Sequence, residues 1–134
     1  MDPISILLVD DHSIFLGIVT RFLQSYPDIV IVGTAGDGKE ALRYAQVLQP
    51  QVILLDLAML GLFGLEVISP LRLIVPTAGI IVLTLLDADG YRQAALAAGA
   101  ADFISKTTLS TDLLPAIRRI TRTIGSQQKG DEKL

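Results

Sequence analysis

Five short apolar runs alternate with amphipathic stretches along the chain. The runs are Ile4-Ser5-Ile6-Leu7-Leu8-Val9, Ile29-Val30-Ile31-Val32, Val52-Ile53-Leu54-Leu55, Ile80-Ile81-Val82-Leu83 and Phe103-Ile104-Ser105. Most are rich in Ile and Val and apolar almost throughout, which predicts parallel strands buried on both faces. The stretches between them predict helices over about Ser13–Gln24, Gly38–Leu48, Leu65–Ile74, Asp89–Ala98 and Thr111–Ile124. Asp37 with Glu40 three residues on makes a capping-box-like start for the second helix. Gly99 stands where a helix C-terminal cap belongs. In the last helix Leu113, Leu114, Ile117, Ile120 and Ile124 recur at helical spacing, while Arg118, Arg119 and Arg122 face elsewhere. Pro70 and Pro115 fall inside helices, so a kink or a shifted start is expected at each. Residues 125–134 are polar without an apolar period and read as a linker or frayed tail after a domain spanning 1–124.

Repeated β-α units of this kind predict a doubly wound α/β fold, with a five-stranded parallel sheet and five helices. Right-handed crossovers favour the strand order 2-1-3-4-5, whose switch point lies between strands 1 and 3. At 134 residues the chain suffices for one domain with a real core. It is 51% hydrophobic, yet no apolar run reaches the length of a membrane span, and no secretory signal opens the chain. Cysteine is absent, which excludes disulfides and thiolate metal sites and fits a reducing cytoplasm. The formal charge of −3 without a basic stripe argues against direct nucleic-acid binding by this segment.

Four of the runs end in polar residues: Asp10-Asp11, Asp56, Thr84 and Lys106. The carboxyl ends of the strands share one sheet edge, where open α/β folds place their sites. Taken singly, each has a plain reading as a helix cap, a turn residue, a strand end or a solvated charge. Together they form one chemical set. Three carboxylates brought together repel one another unless a cation joins them. Magnesium, with its demand for hard oxygen ligands, is the natural choice. A carboxylate on a separate strand can then act as nucleophile toward phosphorus, with an ammonium and a hydroxyl on the phosphoryl oxygens. His12, with neither a second histidine nor a cysteine, is a poor metal or triad candidate and fits a capping or solvent-facing role.

The chain resembles the receiver domains of two-component response regulators, CheY-like members of the flavodoxin-like fold. The motifs are Leu8-Val9-Asp10-Asp11-His12, Ile53-Leu54-Leu55-Asp56-Leu57, Ile81-Val82-Leu83-Thr84 and the segment from Ala98 to Lys106. The Asp-Asp-His start, and Thr107 in place of a proline after Lys106, are most similar to receivers that carry a LuxR-type helix-turn-helix output domain. The resemblance implies that Asp56 accepts phosphate from a sensor histidine kinase. It implies Mg2+ held by Asp11, by Asp10 largely through water, by Asp56 and by the backbone carbonyl of Ala58. It places Thr84 and Lys106 on the phosphoryl oxygens and makes Phe103 the aromatic switch. Such a receiver catalyses only its own phosphorylation and dephosphorylation, so it is not classed as an enzyme. It would pair through helices 1/5 or 4/5 and reach DNA only through an output domain outside this chain.

Several positions depart from the family pattern. Leu60 replaces a usual proline and Leu85 a usual small residue, and Pro70 and Pro115 are unusual in their helices. The rim of the site is apolar, with Leu57, Met59, Leu60, Leu62, Leu85 and Leu86, which are expected to be partly buried or to form a docking surface. Neither Ala58 nor Leu86 can orient an attacking water, so a long-lived aspartyl phosphate is expected. The competing readings are a degenerate receiver serving as an interaction module, an aspartyl-nucleophile phosphohydrolase and a flavin module. The intact Asp, Thr and Lys set opposes the first. The phosphohydrolase reading wants a second aspartate two residues after a strand 1 nucleophile, and His12 stands there. A flavin module wants a phosphate-cradling loop where the acidic pair lies.

Overall fold

A computed structural model describes residues 3–58, 64–85 and 89–132. The strands are β1 (Ile4–Val9), β2 (Ile29–Ala35), β3 (Val52–Leu55), β4 (Gly79–Thr84) and β5 (Asp102–Ser105). The helices are α1 (Ser13–Gln24), α2 (Gly38–Leu48), α3 (Gly64–Ile74), α4 (Asp89–Ala98) and α5 (Leu109–Glu132). All strand pairs are parallel and the order is β2-β1-β3-β4-β5, the doubly wound sheet expected from the sequence.

Alternation along the strands divides the core. Leu7, Val9, Ile53, Leu55, Ile80, Val82 and Phe103 pack toward α2, α3 and α4. Ile6, Leu8, Val52, Leu54, Ile81, Leu83 and Ile104 pack toward α1 and α5. The central strands β3 and β4 are buried at every position, which explains why their sequences carry no polar alternation. β2 departs from that expectation. As an edge strand it leaves Val30 and Thr34 exposed, and its pairing with β1 shifts register between Ile6 and Leu7.

The helix ends follow their side chains. His12 caps α1, its Nδ1 accepting from the Phe15 amide at 3.2 Å. Asp37 caps α2 by accepting from the Glu40 amide at 2.8 Å, and Glu40 reaches back to the Gly36 amide at 2.9 Å. Gly99, with φ of +119°, closes α4: its amide donates to Leu96 and that of Ala100 to Ala95, the two bonds of a Schellman end.

α5 differs from its expected span. A short 3-10 turn at Lys106–Thr108 leads into it, and it starts at Leu109. It continues through the polar stretch to Glu132 instead of ending near Ile124. The prolines do not stop their helices: α3 runs through Pro70 and α5 through Pro115.

Candidate functional site

β1 and β3 are adjacent, and their last residues, Val9 and Leu55, are register partners. The next residue on each strand is therefore an aspartate beside an aspartate. The Asp10 amide donates to the Ala35 carbonyl and the Asp56 amide to the Val9 carbonyl, both at 2.9 Å, so backbone bonds to neighbouring strands fix both positions. Asp10 and Asp56 are buried, whereas Asp11 is exposed at the mouth. Carboxylate oxygens of all three lie within 4.8 Å of one another. At that separation the donors are hard, anionic and close enough to share one divalent cation, which fits Mg2+.

Thr84 ends β4 opposite Ser105 of β5, and Lys106 follows directly. The Lys106 side chain, only 8% exposed, reaches back across the sheet edge. Its Nζ lies 2.7 Å from Asp10 Oδ2 and 3.5 Å from Asp56 Oδ2. The remaining Asp10 oxygen accepts from the His12 amide at 2.9 Å. Asp56 Oδ1 accepts from the Ala58 amide at 3.3 Å, and the buried Thr84 hydroxyl also donates to the Asp56 carboxylate.

Burial pushes the Asp56 carboxyl above its ordinary range. The Lys106 charge pulls it down, the nearby Asp10 carboxylate pushes it up, and the bonds from Ala58 and Thr84 pull it down again. Burial prevails because these partners restore only part of the lost hydration. A cation joining the three carboxylates would favour the ionised form.

The sheet edge thus brings together Asp10, Asp11, Asp56, Ala58, Thr84 and Lys106. Four of them, Asp11, Asp56, Ala58 and Lys106, line an open crevice of about 250 Å3 together with His12 and Leu85. Phe103 lies apart from the crevice. It is buried on the α4 side of the sheet, with the Arg92 guanidinium 5.2 Å from its ring centroid and an Arg92 nitrogen donating to its carbonyl at 3.1 Å.

The apolar rim is not uniform. Leu57 is fully buried core, and Leu85 is 68% exposed. Met59, Leu60, Leu62 and Leu86 lie outside the described residues.

One neighbour of the site escaped the sequence reading. The Phe15 ring also lines the crevice, with its centroid 4.0 Å from Lys106 Nζ. Its position in the first turn of a helix that follows the acidic pair was the available signal, but a phenylalanine there is equally suited to the core.

A doubly wound sheet with a carboxylate cluster and a lysine at its switch point defines a class of small α/β domains with a cation-ready acidic crevice. The chain belongs to the response regulator receiver domain family, whose model matches residues 6–118. It is 36% identical over 131 residues to the transcriptional regulatory protein LiaR of Bacillus subtilis, covering 98% of this chain and 59% of LiaR. The chain therefore spans about three fifths of the length of that relative.

Among solved structures it is similar to a LuxR-family two-component response regulator from Aurantimonas sp. SI85-9A1. That match has a TM-score of 0.82 and 25% identity, covering 95% of this chain and 99% of the other. It is also similar to a Burkholderia pseudomallei response regulator solved with a phosphorylated aspartic acid, a calcium ion and citrate. Here the TM-score is 0.79 and the identity 26%, covering 92% of this chain and 72% of the other. The likeness to receivers of LuxR-type regulators thus holds for the whole domain.

Proposed function

We propose that this domain is a phosphorylation-driven switch in which Asp56 accepts a phosphoryl group from the phosphohistidine of a sensor kinase. The observation that carries this reading is the placement of Lys106 Nζ between the buried Asp10 and Asp56 carboxylates, at 2.7 and 3.5 Å. An Asp56 oxygen forms the new bond to phosphorus. The bond from phosphorus to the imidazole nitrogen breaks, and that nitrogen keeps the electron pair. Lys106 neutralises one phosphoryl oxygen as a compact point charge, and the Thr84 hydroxyl donates to another. Asp10, Asp11, Asp56 and the Ala58 carbonyl would hold Mg2+, which when bound supplies charge neutralisation for the transferring group. The phosphorylated aspartic acid of the Burkholderia relative supports the same chemistry here.

Drawing Thr84 toward phosphate would vacate space at the end of β4, two register rungs from Phe103 on β5. The ring would follow and shift an existing equilibrium between two states of the α4-β5-α5 face. Its side chain has no hydroxyl, so packing alone reports the change. The output is control of transcription through a DNA-binding domain beyond this chain, as the name of the Bacillus relative suggests. Pairing of two receivers through helices 1/5 or 4/5 would accompany it, and the setting is the cytoplasm.

The test is incubation with Mg2+ and acetyl phosphate, read by intact mass. Wild type should gain one phosphoryl group and Asp56→Asn none. An unmodified wild type, or an equally modified Asp56→Asn, removes the reading.

A further inference from the structure

Lys106 is bounded on three sides. Two are the Asp10 and Asp56 carboxylates, and the third is the face of the Phe15 ring, whose centroid is 4.0 Å from Nζ. We propose that Phe15 is a positioning residue for the phosphoryl-transfer site: its ring is the seat that holds the Lys106 ammonium within reach of Asp56. The inference rests on the phosphoacceptor reading for its consequence, though not for the contact itself.

Phe15 is tied to Asp10 through His12. The Asp10 carboxylate accepts from the His12 amide, His12 Nδ1 accepts from the Phe15 amide, and the His12 carbonyl accepts from the Leu16 amide at 3.0 Å. Residues 10–16 therefore form one hydrogen-bonded unit, which fixes the backbone that carries the ring relative to the Asp10 carboxylate.

Lysine needs such a support. Its stem is flexible, and Nζ lies closer to Asp10 than to Asp56. A third carboxylate in place of the ring would hold the ammonium but also neutralise it. An aliphatic side chain would exclude water without attracting charge. The ring's negative face attracts the cation while leaving its full charge for a phosphoryl oxygen. It also helps to keep the Lys106 side chain 92% covered, because that side chain is 8% exposed. As the phosphoryl group arrives at Asp56 with its negative oxygens, the ammonium can then swing from Asp10 toward one of them without leaving the crevice.

Two readouts on the intact 134-residue chain test this. The first is proton-carbon NMR of the lysine ε-methylenes without metal or donor. Four lysines are present, and a Lys106→Met sample assigns the signal. A ring-current upfield shift is expected for Lys106 in wild type and Phe15→Tyr, and its loss in Phe15→Leu. The second is the initial rate of phosphorylation against acetyl phosphate concentration at saturating Mg2+. Phe15→Leu should lower the maximal rate about five- to tenfold, a cation–π contact being worth about that factor. The concentration for half-maximal rate should stay within about twofold, and Phe15→Tyr should recover most of the rate.

An unshifted Lys106 signal in wild type overturns the proposal, as does a folded Phe15→Leu with the wild-type maximal rate. If Phe15→Leu fails to fold, the wild-type and Phe15→Tyr signals decide. A wild type that shows the shift but takes no phosphate sinks the phosphoacceptor reading and leaves the seat standing.

Discussion

Burial of the Asp56 carboxylate disfavours its ionised form, and Lys106 does not fully offset this. In the metal-free domain the fold therefore works against the charged form of this carboxylate. Asn has the same shape without the charge, so Asp56→Asn should raise the melting temperature in metal-free buffer. Relief of about 1 kcal/mol corresponds to roughly 3 °C for a domain of this size. Thermal unfolding followed by circular dichroism decides it, and a lower value for Asp56→Asn would mean that the ion pair outweighs burial. Ala58 carries a second prediction. It is exposed on the crevice wall, where its methyl cannot orient a water for attack on phosphorus. Ala58→Asn offers an amide at that place and should shorten the life of the aspartyl phosphate several-fold, measured as loss of phosphorylated mass over time. Unchanged or slower decay would show that the residue does not set the rate.

The elements that carry these residues have their own weak points. Gly79 opens β4 beneath α5, and a Cβ there would lie 2.2 Å from Ile120 Cγ2. Gly79→Ala must push the helix or the strand aside, at a cost of about 1–3 kcal/mol in chemical denaturation. Adding Ile120→Ala should return part of that loss. α5 is also tied to the loop before β2, where the Asp28 carboxylate pairs bidentately with the Arg118 guanidinium. The hydrogen bond from Arg118 holds the Asp28 carboxyl below its ordinary range. The folded-state value thus lies below the unfolded one, so the contribution is present above the unfolded value and lost as pH falls through the folded one. Acid unfolding of Asp28→Asn should accordingly be less steep over that window than that of wild type, and an identical curve would show the pair to be idle. The elements themselves were legible because their signals are local: Ile-Val runs, the Asp37–Glu40 cap, Gly99 at a helix end. The strand-end set was legible because parallel order sends every carboxyl end to one edge. What escaped the sequence depends on contacts across the fold. The exposure of β2 follows from its edge position, and the Phe15–Lys106 contact joins residues from opposite ends of the domain's sequence. The persistence of α5 through Pro115 is a further case, because the exposed proline is tolerated while Leu113, Ala116 and Ile117 hold the helix to the sheet.

Both halves of the core share one sheet, and the acidic crevice sits on the carboxyl edge of that sheet. A ligand at the crevice binds only when β1 and β3 are paired, because its carboxylates are brought together by that pairing. Binding therefore stabilises the whole domain and not one loop. Mg2+ at about 100 times its dissociation constant should add about 2.7 kcal/mol to unfolding stability. That predicts a rise of several degrees in melting temperature, growing with the logarithm of the Mg2+ concentration. Asp11 separates this effect from general stabilisation. It is exposed, and His12 rather than Asp11 caps α1, so Asp11→Asn would remove one ligand of the proposed metal set without opening the core. The variant should melt within about 1 °C of wild type without metal, exposed substitutions being nearly neutral, and should lose most of the rise with Mg2+. A full rise retained in Asp11→Asn would place the cation elsewhere and remove Asp11 from the metal set.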